Sequence, residues 1–200
     1  FNAATFINSA NVSSTGNGNI TLNGTGNGAG QQNIGVRIEG STGQVTTANG
    51  NISLTGTSNG TGTFSIGVGV IFGSLVAAGG NGTVTVTGTG GAGSGISPGI
   101  YGGAGSGSRI TSVNGNITLI GTGNGAAADN NGIYMENNAI VRSTGTGAIS
   151  LTGAQTNTAI PGILFLNTSG IVANTGAVTL TTDEVDFSSA NSISGNSTLL

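Results

Sequence analysis

Apolar residues along the chain fall in short alternating runs separated by glycine-rich steps, and the runs themselves recur. The segments GNGNITLNGTGNG (from Gly16), ANGNISLTGTSNG (from Ala48), GNGTVTVTGTGGA (from Gly80) and VNGNITLIGTGNG (from Val113) align directly. GTGAISLTG (from Gly145) and TGAVTLTTD (from Thr175) continue the series in weaker form. The first apolar residue of each run lies at Ile20, Ile52, Val84, Ile117, Ile149 and Val178, in steps of 32, 32, 33, 32 and 29 residues. A fixed period of this length is the mark of a repeat architecture. Strict apolar/polar alternation over a few residues, rich in Ile, Val and Thr, predicts half-buried strands.

Each repeat holds three such pieces. The first pairs Ile20 with Leu22, Ile52 with Leu54, Val84 with Val86, Ile117 with Leu119, Ile149 with Leu151 and Val178 with Leu180. The second supplies Val36, Val68, Ile100, Ile133 and Ile163, and the third Val45, Val76, Ile110, Val141 and Val172. Between pieces lie Asn17-Gly18, Asn49-Gly50, Asn81-Gly82, Asn114-Gly115, Thr146-Gly147 and Thr175-Gly176. These read as corners where glycine takes positive φ freely and Asn tolerates it.

Asn-Gly between apolar runs is also a hairpin signal, so an antiparallel meander is the competing arrangement. Parity decides against it: with three strands per repeat, successive repeats of a meander would run in opposite directions and equivalent residues would not stack. If each repeat is instead one turn of a parallel coil, equivalent residues lie about 4.8 Å apart and each apolar column becomes a continuous interior stack. The expectation is an all-β fold, a parallel β-helix of three strands per turn and about six turns of about 32 residues. Six turns would rise roughly 29 Å at that spacing. Handedness is taken as right-handed by analogy with most three-faced β-helices. The whole of residues 1–200 reads as a single segment, regular over about 12–182 and less regular over 183–200. Because the chain opens at Phe1 without an initiator Met or signal-like stretch, it is expected to be a piece of a longer repeat protein.

Composition fits this picture. Gly, Asn, Thr and Ser make 115 of the 200 residues, while Ile, Val, Leu and Phe contribute 48 in ordered positions, which favours a fold over a flexible low-complexity chain. With no His and no Cys there is no imidazole base, thiolate nucleophile, disulfide framework or zinc site of the usual kind. Three Arg, no Lys and a net charge of −3 argue against binding a run of phosphates, hence against nucleic acid. No apolar run approaches the roughly 20 residues of a membrane-spanning helix. The chain is expected to be non-enzymatic, without cofactor.

Several groups nevertheless carry candidate chemistry. The outward column Thr21, Ser53, Thr85, Thr118, Ser150 and Thr179, with Asn23, Thr55, Thr87, Ile120, Thr152 and Thr181 two residues on, forms a hydroxyl array. Its spacings would be about 4.8 Å and near 7 Å. Exposed Thr suits any strand surface, but such an array also resembles the Thr-x-Thr faces of ice-binding β-helices. Asp183, Glu184 and Asp186 are a candidate for Ca²⁺, which prefers several oxygen ligands, against a plainer reading as a solvated edge. Glu39 is isolated. Asp129 and Glu136 stand where they could approach each other, and a carboxylate pair is the minimum for glycoside hydrolysis. Tyr101 and Tyr134 occupy equivalent positions one repeat apart, sharing a column with Arg37 and Leu164, and are expected to stack on an outer face open to sugar or protein. Arg109 and Arg142 read as solubilising edge charges. Gly-x-Gly steps lack the following helix that a phosphate-cradling loop needs. Asn-x-Ser/Thr sequons at Asn11, Asn19, Asn23, Asn51, Asn59, Asn81, Asn116, Asn167 and Asn196 follow from the repeat itself, so no glycosylation is read from them.

The repeats headed by GNGNITLNGTGNG resemble, over about Val12 to Thr182, the β-helical shaft of filamentous-haemagglutinin-type two-partner-secretion exoproteins and related bacterial surface adhesins. The Asn-Pro-Asn signatures of their secretion domain are not present; the two prolines are Pro98 and Pro161. The resemblance implies export, extracellular or cell-surface display in a bacterium, and adhesion or filament building. Implied partners are further copies, end to end or laterally, and surface glycans or host and matrix proteins.

Overall fold

The computed structural model describes residues 2–125, 127, 129–188 and 192–195. The chain coils as a parallel β-solenoid of about six turns with three sheets. Sheet A stacks Asn2–Asn8, Asn33–Glu39, Val68–Ile71, Ile100–Gly103, Ile133–Met135, Ile163–Phe165 and Val185–Phe187. Sheet B stacks Asn11–Ser14, Gln44–Thr47, Leu75–Ala78, Arg109–Ser112, Ile140–Ser143, Gly170–Ala173 and Ser192–Ser194. Sheet C stacks Ile20–Gly26, Ile52–Ser58, Val84–Thr89, Ile117–Gly123, Ile149–Gln155 and Val178–Thr181. Every pairing between neighbouring coils is parallel, as the parity argument requires.

Backbone bonds run from coil to coil: the Ile52 amide donates to the Thr83 carbonyl at 2.8 Å and the Val84 amide to the Asn116 carbonyl at 3.0 Å. The register puts Ile20, Ile52, Val84, Ile117, Ile149 and Val178 in one column, and the Leu/Val positions two residues on in the next. Both columns face the interior with those of the other sheets. The second column of sheet B is small: Thr47, Ala78, Ser112, Ser143 and Ala173 are all buried, so the sheets converge there. In the third-piece column the interior residue of the fifth coil is Ile171, which pairs with Val141; Val172 pairs with Arg142 on the outside. The shortened last step hides that one-residue shift. The interior also admits an aromatic pair, because Phe165 is buried on Phe187 with ring centroids 5.1 Å apart.

The glycines work differently from the expectation. Apart from Gly80 beside the third, no residue of the Asn-Gly and Thr-Gly corners has positive φ. Those glycines stack instead: a Cβ on Gly50, Gly82, Gly115, Gly147 or Gly176 would collide with the carbonyl oxygen of the corresponding glycine one coil away. The corner Asn side chains form acceptors along the same edge, with Asn19 Oδ1 taking the Asn51 amide at 2.8 Å and Asn51 Oδ1 the Thr83 amide at 2.9 Å. A second close approach lies inside each coil. Gly24, Gly56, Gly88, Gly121 and Gly153 of sheet C meet the backbone of Gly35, Gly67, Gly99, Gly132 and Gly162 at the start of sheet A. Left-handed backbone is found at the corner that ends sheet A, at Ser9, Gly40, Phe72, Ala104, Asn137 and Asn167.

Adding one methyl at either close approach must therefore push backbone. Gly88→Ala and Gly115→Ala are each expected to destabilise by about 2 kcal/mol or more. Gly16→Ala, where a Cβ meets nothing within 4 Å, is expected to be near neutral. Urea unfolding followed by far-ultraviolet circular dichroism checks all three.

Candidate functional site

Two outer faces bring sequence candidates together. On sheet C the register stacks Thr21, Ser53, Thr85, Thr118, Ser150 and Thr179 in one line. Thr55, Thr87, Thr152 and Thr181 lie in the next, interrupted by Asn23 and by Ile120, which is 41% exposed. A third line, not singled out in the sequence, runs Thr25, Thr57, Thr89, Thr122 and Ala154. It was legible in the repeated Gly-Thr step, since two residues past an outward Thr the strand faces outward again. The face carries no ionisable side chain.

On sheet A the outward column reads Phe6, Arg37, Gly69, Tyr101, Tyr134, Leu164 and Asp186. Tyr101 and Tyr134 are register partners with ring centroids 5.4 Å apart and planes tilted by 38°. They point outward but are not open: Tyr101 is 4% exposed and Tyr134 6%. Ile34, second residue of its sheet A strand, and Ile66, just before the next, join Ile71 and Leu164 in covering them, a second small apolar cluster apart from the solenoid core. The strand period fixed their direction; the covering came in part from Ile34 and Ile66, at or just before strand starts, where the period does not describe which way a side chain lies.

Both hydroxyls donate to Glu136, Tyr101 to Oε1 and Tyr134 to Oε2 at 3.3 Å. Burial, and then the Glu136 carboxylate, push both phenols well above the usual tyrosine range, with Asp129 adding to the effect on each. Asp129 and Glu136 thus share the surroundings of the tyrosine pair, and Glu136 is occupied as an acceptor for two O–H groups. At the other end of the column Arg37 pairs with Glu39, donates from Nη1 to Gln32 Oε1 at 3.2 Å, and lies 5.6 Å from the Phe6 ring centroid.

The remaining candidates lie apart. Arg109 and Arg142 are exposed on sheet B in different columns, Arg109 beside Ile140 and Arg142 beside Thr111. Asp183 and Glu184 occupy the exposed turn between sheets C and A, and Asp186 the last strand of sheet A. The Asp183 carboxylate accepts from Gln155 Nε2 at 2.7 Å, which holds it below the usual carboxylate range, and from the Glu184 amide at 2.8 Å. Among the described residues no three acidic side chains gather in a group that could hold a metal ion. The Asn196 sequon lies outside the described residues.

The tyrosine pair makes a sharp pH test, because the chain has two Tyr and no Trp. Their folded pKa lies above the unfolded value of about 10, so the stability they contribute is full below that pH and declines as pH rises above it, where only the unfolded chain ionises. Absorbance at 295 nm should show no tyrosinate at pH 10.5 in the folded protein. Both phenols should then ionise together with loss of the β-sheet signal, whereas separate ionisation near pH 10 in folded protein would contradict the buried pair.

The chain matches no protein-family model, no curated protein and no solved structure.

Proposed function

We propose that this chain is a non-catalytic structural module, a rigid shaft or filament unit of an extracellular, surface-displayed bacterial protein, with adhesive lateral faces. The observation that carries the reading is the state of the apolar columns at the two ends. Val45, Ile52 and Leu54 are 0–1% exposed, yet their partners in the preceding coil, Val12, Ile20 and Leu22, are half-buried. At the other end Leu180, Phe187 and Ile193 are half-buried in the same way. Among the described residues the interior columns are only partly covered at both ends, and stacking a further coil there would cover apolar side chains worth roughly 1.5–3 kcal/mol each when fully buried. Unpaired parallel edges at the same ends supply the hydrogen bonds for such stacking. Continuous ladders in three sheets resist bending, which a shaft needs. The resemblance of the repeats to filamentous-haemagglutinin-type shafts supports export and display.

Small-angle scattering over a concentration series tests this. The expected result is growth in length at constant cross-section, abolished by Leu22→Asp, which puts a charge on one open end. A compact monomer at the highest concentration would remove the filament reading.

The third hydroxyl line on sheet C favours a second reading, an ice-binding face, since three adjacent outward lines rich in Thr and Ser make a wider array than two. In that case the protein shows thermal hysteresis that Thr87→Tyr, at the centre of the array, removes while the fold persists. No hysteresis in the unmodified protein eliminates this reading.

A further inference from the structure

The outward column of sheet A has one gap. Gly69 lies between Arg37 on one coil and Tyr101 on the next, and a Cβ placed on it would have only Ile71 Cγ2 nearby, at 3.9 Å. A recess of about 110 Å³ is lined by both register partners of Gly69, Arg37 and Tyr101, and by Ile71, the nearest neighbour of a Cβ placed there. Its walls include Phe64, Ile66, Ile71 and Phe72, with Arg37 and Tyr101 on its two coil-facing sides. We propose that this recess is a binding site for a single aromatic ring bearing one polar substituent, a phenol. The site is separate from the shaft role and stands whether or not that role is correct.

Three observations converge on a ring. The first is spacing. Arg37 and Tyr101 belong to coils on either side of Gly69, so their backbones are two strand spacings apart, about 9.6 Å. One planar group midway would lie about 4.8 Å from each, comparable with the 5.4 Å between the Tyr101 and Tyr134 centroids. The column already sets a guanidinium near a ring at Arg37 and Phe6 and a ring beside a ring at Tyr101 and Tyr134. A ring in the gap would complete both patterns, beside a cation on one side and an aromatic on the other.

The second is backbone strain at the walls. Gln32, Phe64, Phe72 and Ala104 all line the recess and all have positive φ, at 58°, 60°, 56° and 53°. The corner that ends sheet A demands this conformation at Phe72 and Ala104, where other coils meet it with Gly40, Asn137 and Asn167, residues that adopt it readily; Gln32 and Phe64 take it where the chain enters sheet A. Phe does not, and left-handed backbone at such a residue costs on the order of 1–3 kcal/mol. Phe72 is moreover 44% exposed, so its ring gains little from burial in the unliganded chain.

The third is the chemistry of the walls. The lining is mainly apolar, and apolar cavities of about 150 Å³ take up benzene in preference to water. The polar groups at the rim are engaged with one another, Arg37 with Glu39 and Gln32, and Tyr101 with Glu136. A sugar ring would bring several hydroxyls that each need a partner, whereas a phenol brings one.

Methyl resonances of Ile66 and Ile71 in a ¹³C-labelled sample report on the site. Titration with p-cresol should give saturable shifts at both, and 4-methylcyclohexanol, its saturated analogue, should bind about tenfold more weakly or worse. Gly69→Tyr supplies the ring from within; it should abolish the p-cresol response and raise the thermal midpoint. Phe72→Gly keeps the left-handed corner, removes a wall and should weaken p-cresol binding while the fold persists. A Gly-Tyr-Gly amide distinguishes the source: binding at least as tight as p-cresol marks a tyrosine of a partner protein, and weaker binding marks a free phenolic molecule. The proposal is overturned by the absence of saturable shifts, by equal binding of 4-methylcyclohexanol or methyl β-glucopyranoside, or by an undiminished p-cresol response in both variants.

Discussion

The backbone of one coil must stack on the next at about 4.8 Å in all three sheets at once, and everything else in this molecule answers to that spacing. Three sheets closing a narrow triangle bring strands of different sheets into contact at the vertices. At the junction of sheets C and A the gap is too small for any side chain, so Gly88 faces the Gly99 backbone and Gly121 the Gly132 backbone. At the corners before sheet C each glycine lies against the carbonyl of its counterpart a coil away, as Gly115 does against Gly82. The high glycine content is thus a packing requirement more than a demand for unusual φ. Left-handed backbone recurs at the corner closing sheet A, where Asn and Thr join glycine, and is taken besides by Gln32 and Phe64 on the way into sheet A and by Gly80 before sheet C.

With the vertices fixed, the interior can be filled only from the middle of each strand. Two apolar columns from sheet C and two from sheet A do most of this, while sheet B contributes one full column beginning Val45, Val76 and Ile110 and one of small residues. The fill adjusts locally: Gly102 leaves space that the Met135 side chain enters, and farther along Phe165 and Phe187 take the same column. Aromatic residues fit the interior once a neighbouring coil yields volume. The same freedom operates outside, where Gly69 yields volume that no described residue takes up.

The repeat period was enough to read the coil, its three strands and most of its interior, because register follows directly from alignment when strands are parallel. It located Tyr101 and Tyr134 as stacked partners for the same reason. It did not reveal that they are covered, since the cover comes from Ile34 and Ile66 beside the corners, where residues follow no two-residue alternation. Nor did it foresee that Glu136 would accept from both phenols, a contact made across the end of a strand. The shift from Val172 to Ile171 escaped for a simpler cause: a step of 29 residues allows two alignments, and backbone pairing chooses between them.

Stacking also accounts for the scarcity of charge. A charged residue repeated in a column would face its like at about 4.8 Å on both sides, a repulsion of about 0.9 kcal/mol per contact in bulk water and about 3.5 kcal/mol at an effective dielectric of 20. The paired strands obey this: Arg37 lies between Phe6 and Gly69, Arg109 between Leu75 and Ile140, Arg142 between Thr111 and Val172. Hydroxyls carry no such penalty and can be repeated on every coil, which is why sheet C is lined with Thr and Ser. A face built by repetition is therefore uncharged and uniform. The places where the column is broken, as at Gly69 between Arg37 and Tyr101, are where the surface departs from that uniformity.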